Sequence, residues 1–117
     1  MDDDEPFCAV HEAIQLLQEK WMLHIVRALL TSGPLGFNEL ARAAGGCNPA
    51  TLAQRLDRLE DLHLATRTVE QVMPPRTSYR LTESGMALQD VIDSIDRWGQ
   101  RYICERLAAP ARRAATA

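Results

Sequence analysis

A mainly α-helical domain carrying a small β-hairpin is predicted by three features of the chain. Two short helical stretches, ELARAA and PATLAQRLDRLE, are separated by little more than Gly45, Gly46 and Cys47, a tight glycine-bearing turn between helices. Two β-leaning runs, LATRTVEQV and RTSYRLT, follow with Met73, Pro74 and Pro75 between them, the pattern of a hairpin with a proline-stiffened tip. The length of 117 residues suits a single core. A hairpin beside a helix-turn-helix is a wing, so the fold class is a winged helix-turn-helix. The expected organisation is an acidic N-terminal tail over 1–7, the winged domain with terminal dimerisation helices over 8–109, and a flexible C-terminal tail over 110–117.

The elements follow in order. From about Phe7 to Gln18, Val10, Ala13, Ile14 and Leu17 recur at helical spacing and predict a short amphipathic first helix. WMLHIVRALL is apolar around most of its circumference and reads as the buried central helix, ended by Gly33, Pro34 and Gly36. Phe37 makes a minimal strand, and Asn38 caps the short helix after it. The next helix has Asn48 as cap and Pro49 in its first position, where a missing N–H leaves no bond unmade. Leu52, Leu56, Leu59 and Leu62 predict one buried stripe along it. Thr51, Gln54, Arg55 and Arg58 are left opposite, with side chains able to bond base edges and phosphates. The same pattern also describes a surface helix with ordinary solvated arginines.

After the hairpin, Thr82 is placed to cap a long last helix of roughly 25 residues, long for so small a domain. Glu83 falls in its first turn, where a carboxylate suits the positive end of the helix dipole. Leu88, Val91, Ile92, Ile95, Trp98 and Tyr102 follow one edge, more apolar surface than the domain can cover, which points to a second subunit.

Composition narrows the function classes. The formal charge is −3, yet Asp2, Asp3, Asp4 and Glu5 belong to the tail, and setting those four carboxylates aside leaves +1. Twelve of the thirteen cationic residues are arginine, the side chain that binds phosphate and guanine bidentately. No apolar run approaches the ~18 residues of a membrane span, and the acidic start is unlike a secretory signal. Three cysteines, an odd number, fit a reducing cytoplasm better than a disulfide scaffold. The chain has no glycine-rich phosphate loop, no G-x-S-x-G elbow and no carboxylate pair singled out by spacing, so no enzyme and no cofactor are expected. No metal is expected either: Cys8 and His11 could share a helix face, but His24, Cys47 and His63 are scattered.

Taken in order, Cys8 thirteen residues before Trp21, then EKWMLHIVRALL, GFNELARA, NPATLAQRLDRLE and PPRTSYRLTESG, the chain resembles the HxlR-type transcriptional regulators, relatives of the MarR winged-helix proteins. The resemblance runs nearly end to end. It implies a homodimeric, cytoplasmic bacterial regulator, usually a repressor, binding double-stranded DNA at a pseudo-palindromic operator with half-sites about 34 Å apart. Pro49, Thr51, Gln54, Arg55 and Arg58 would meet the major groove, and Arg76 on the wing the backbone or minor groove. Ile14 and Leu17 of the first helix and Val91, Ile95, Trp98 and Tyr102 of the last would form the dimer interface. Three positions depart from the family pattern. Ala50 stands where a basic residue is common, His63 where glycine usually follows the recognition helix, and Glu19 where glycine is common between the first two helices.

The resemblance also makes Cys8 a candidate sensor of oxidants or electrophiles, pairing in the oxidised state with Cys104 or Cys47 of the other subunit. A thiol near a helix start suits a lowered pKa, whereas the neighbouring acidic tail would raise it. Three other readings stay open at this point: a small-molecule-responsive regulator with an inert Cys8, a winged-helix protein-interaction module without DNA binding, and a thiol enzyme using Cys8 and His11.

Overall fold

The computed structural model describes residues 8–74, 76–104 and 106; the two tails expected from the sequence lie outside them. The chain divides into two compact units, one ending at Met86 and one beginning at Ala87.

In the first unit, α1 (Ala9–Leu17) is amphipathic and buries none of its residues within the chain. Trp21 follows in a left-handed conformation, φ 74°, which is costly for a bulky side chain. Its ring lies edge-on to His24, centroids 5.6 Å apart, and so close to Gly45 that a Cβ there would come within 3.2 Å of it. The glycine turn thus seats the indole. Next, α2 (Met22–Ser32) buries Met22, Ile25, Val26, Ala28 and Leu29 and is the central helix. Each large side chain so buried contributes about 1.5–3 kcal/mol.

The short strand is β1 (Leu35–Gly36), and Phe37 opens α3 (Phe37–Ala43) instead of forming the strand. The reason is pairing: Leu35 and Gly36 lie opposite Tyr79 and Ser78, so the residues before Phe37 take the strand register. Asn38 is not the cap either. It lies inside α3, while the Gly36 N–H donates to the Glu39 carboxylate at 2.9 Å.

Helix α4 (Pro49–Asp61) starts as expected, with Asn48 Oδ1 accepting from the Ala50 N–H at 2.8 Å and the Thr51 N–H at 3.4 Å. Leu52, Leu56 and Leu59 are buried, but Leu62 is 42% exposed. The stripe stops there because Leu62 is the C-cap. His63 turns left-handed, φ 58°, the Leu64 N–H reaches the Leu59 carbonyl at 2.8 Å, and the His63 N–H reaches Glu60 at 3.0 Å. These two bonds make a Schellman end, with histidine where glycine is usual.

The wing is β2 (Ala65–Gln71) and β3 (Arg76–Leu81), antiparallel, with β1 on the other side of β3 to give the order β1-β3-β2. Register runs from Ala65 opposite Leu81 to Val69 opposite Thr77, then Gln71 opposite Arg76, so Glu70 is an extra, bulged residue. Ala65 and Tyr79 join the core.

The long last helix expected from the sequence is interrupted. Thr82 caps only α5 (Glu83–Met86), its Oγ1 accepting from the Gly85 N–H at 3.2 Å. The same hydroxyl and that of Ser84 donate to the His63 carbonyl at 2.7 and 3.1 Å, which commits this short turn to the exit of α4. The second unit contains α6 (Leu88–Gly99), continued by a π-helical turn from Gln100 to Cys104. It buries none of its described residues: Val91, Ile95, Trp98 and Tyr102 are exposed, Trp98 by 57%. The Trp98 and Tyr102 rings lie 5.8 Å apart, and the Arg101 guanidinium sits 5.4 Å from the Tyr102 ring centre.

Candidate nucleic-acid interface

Burial of Leu52, Leu56 and Leu59 determines which α4 side chains face outward. Ala50, Gln54, Asp57 and Asp61 recur at spacings of four and three and are all exposed. Gln54 therefore stands on the outer face, exposed. Pro49 is exposed at the helix start and Thr51 is half-buried.

Thr51, Arg55 and Arg58 share a different edge, and the two arginines there are engaged within the chain. Arg55 Nε donates to the Lys20 carbonyl at 2.8 Å. Arg58 Nε donates to Glu19 Oε2 at 2.9 Å, and Arg55 Nη1 lies 3.9 Å from Glu19 Oε1. The turn between α1 and α2 thus clamps one flank of α4 through a carboxylate and a carbonyl. Sequence reasoning did not place Glu19 and Lys20 at this site. The only signal was Glu19 itself, a charged residue in a turn where the family pattern has glycine, and its partners lie 36 and 39 positions away.

On the wing, Arg67, Arg76 and Arg80 are exposed. Arg76 lines an open groove of about 640 Å³ with Thr77, Ser78, Glu70 and the start of α3. Glu70 in that groove accepts from the Ser78 hydroxyl at 2.7 Å.

The three cysteines differ sharply. Cys8, at the N-cap of α1, and Cys104, in the π-helical turn, are exposed free thiols. Cys47 is only 3% exposed, and burial pushes its pKa above the ordinary thiol value although Arg55 and Lys20 pull it down. A buried, protonated thiol is a poor nucleophile. Among the described residues no three His, Cys, Asp or Glu side chains gather as a metal site, and no helix is long and apolar enough to cross a membrane.

The profile of the HxlR-like helix-turn-helix family matches residues 16–107. An uncharacterized helix-turn-helix-type transcriptional regulator of Methanothermobacter thermautotrophicus is 34% identical over 102 residues, spanning 87% of this chain and 77% of the relative. The regulator YodB of Bacillus subtilis is 32% identical over 96 residues, spanning 82% of this chain and 84% of YodB. In its reduced form YodB superposes with a TM-score of 0.73 at 30% identity, covering 85% of this chain and 97% of that one. Its quinone-bound form gives 0.71 at 30% identity over 82% and 100%. The redox regulator HypR in its oxidised form gives 0.68 at 28% identity over 80% and 96%.

Proposed function

Because the chain belongs to the HxlR-like helix-turn-helix family of transcriptional regulators, we propose that it is a dimeric DNA-binding repressor that responds to oxidants or electrophiles through Cys8. The family and its named relatives are regulators, not enzymes. The observation that carries the DNA reading is the exposure of Gln54 and Arg58 on a capped helix whose leucines anchor it to the core, in a unit that also bears the exposed wing cations Arg67, Arg76 and Arg80. Gln54 suits bidentate bonding to adenine in the major groove, and the arginines suit phosphate. Thr51 and Pro49 supply further contacts at the helix start.

Two exposed apolar stripes support the dimer: Val10 and Ile14 on α1, with half-buried Leu17 beside them, and Val91, Ile95, Trp98 and Tyr102 on α6 and its continuation. A second copy would cover them and set two recognition helices about 34 Å apart on a pseudo-palindromic operator. For the redox response, the exposure of Cys8 and Cys104 favours a disulfide between Cys8 of one copy and Cys104 of the other, formed as the oxidant takes two electrons and two protons are released. Cys47 drops out of that pairing because it is buried. YodB bound to quinone and HypR in oxidised form support an effector of this chemistry. The working compartment is the cytoplasm, where thiols rest reduced.

The test is a gel shift on DNA upstream of the chain's own gene, run reduced and after mild oxidant, with a non-reducing gel alongside. A shift that oxidant abolishes, together with a covalent dimer band absent in Cys8→Ser, is the expected result. A shift that oxidant leaves unchanged removes the redox part. No shift in either state points to a protein-interaction module.

A further inference from the structure

The carboxylate of Glu19 lies against one edge of α4 and is shared between its two arginines. It accepts from Arg58 Nε at 2.9 Å and stands 3.9 Å from Arg55 Nη1, with side chains 24% exposed for Glu19 and 43% for Arg58. Arg55 is further engaged by the Lys20 carbonyl at 2.8 Å, which leaves Arg58 as the freer cation of that edge. Carboxylate and phosphate accept from the same guanidinium N–H groups. An ion pair this exposed is weak and screened by salt, so a phosphate can displace it.

We propose that Glu19 acts as an intramolecular phosphate mimic that competes with DNA for Arg58 and holds down affinity for any duplex. Glu19 is thus a positioning residue acting through Arg58, and the inference rests on the DNA-binding reading above. When Arg58 reaches a phosphate it exchanges one anion for another, so that contact gives less net gain than an unpaired arginine would. Gln54, on the outer face, is untouched by the exchange, so the effect is independent of base sequence.

The test is the salt dependence of binding to random-sequence duplex and to the upstream DNA, for wild type and Glu19→Gln. Glutamine keeps an oxygen that can accept from Arg58 Nε and removes the charge. Counterion release predicts a slope of log affinity against log salt steeper by about 0.9 per subunit, about 1.8 for the dimer, and affinity up to about sixtyfold higher at 0.1 M salt, on both DNAs alike. The gain should vanish in an Arg58→Ala background. Glu19→Ala should reproduce it, and thermal melting checks that each variant is folded. Wild-type binding with an unchanged or weaker Glu19→Gln overturns the inference alone, as does an equal gain without Arg58, which would make the effect one of overall charge. Failure of both wild type and Glu19→Gln to bind any duplex overturns the DNA-binding reading itself.

Discussion

Replacing His63 with glycine should stabilise the protein. His63 occupies the left-handed region at φ 58°, directly after the C-cap of α4. The surroundings give it no escape. Its N–H is bonded to Glu60 at 3.0 Å, the next N–H closes on Leu59 at 2.8 Å, and its carbonyl accepts from the Thr82 and Ser84 hydroxyls at 2.7 and 3.1 Å. A side chain in this conformation costs about 1–2 kcal/mol, and glycine returns about 0.5–1 kcal/mol of that as extra entropy of the unfolded chain. The net gain is therefore about 0.5–1 kcal/mol. For a domain of this size it corresponds to a melting temperature higher by about 2–5 °C. Differential scanning calorimetry at one fixed protein concentration is the assay, because a subunit equilibrium makes the melting temperature depend on concentration. His63→Ala, which keeps a Cβ, should show none of the gain. An unchanged or lower melting temperature for His63→Gly would refute the assignment of strain.

Gly85→Ala should destabilise by about 3 kcal/mol or prevent folding, since overpacking at a rigid site is costly. A Cβ at Gly85 would overlap the Leu64 carbonyl oxygen and press on Leu81, as the midpoint of urea unfolding would show; Gly99→Ala, with nothing near its Cβ and alanine better by about 0.5–1 kcal/mol in a helix, is the control expected not to destabilise. At Cys47 the folded-state pKa is raised by burial, so the native form keeps its proton where the unfolded thiol ionises. That contribution is full below the ordinary thiol value of about 8.5 and is lost as pH rises through the folded value. The stability difference between wild type and Cys47→Ala should therefore shrink from pH 8 to pH 10. In the same native state iodoacetamide should label Cys8 and Cys104 well before Cys47, as peptide mapping would register.

Much of the fold was legible because it is written in short-range signals. Asn48 before Pro49 marks a helix start wherever the chain goes next, and leucines at three- and four-residue spacing demand a covered face. Glycines at 45 and 46 and prolines at the hairpin tip punctuate the chain by limiting φ. His63 stands where the family pattern has glycine, and it takes the left-handed conformation that glycine would, φ 58°. Where the reading departed from the structure, a distant partner decided. Phe37 and Asn38 lost their expected roles because Leu35 and Gly36 pair with β3, some forty residues on. The run after Thr82 was divided into α5 and α6, with hydroxyls of that first short turn bonded to the His63 carbonyl.

By itself the sequence determined the winged helix-turn-helix, the start of α4 and its buried leucine edge as far as Leu59, and the apolar excess of the terminal helices, because periodicity and capping depend on neighbours within a few residues. Only the tertiary structure decided that both arginines of α4 are engaged within the chain and which cysteines are accessible. Glu19 and Lys20 meet Arg55 and Arg58 across more than thirty residues, and Cys47 is set apart from the exposed Cys8 and Cys104 by what packs over it. An ion pair and a buried thiol are properties of the assembled surface, and no local pattern encodes them.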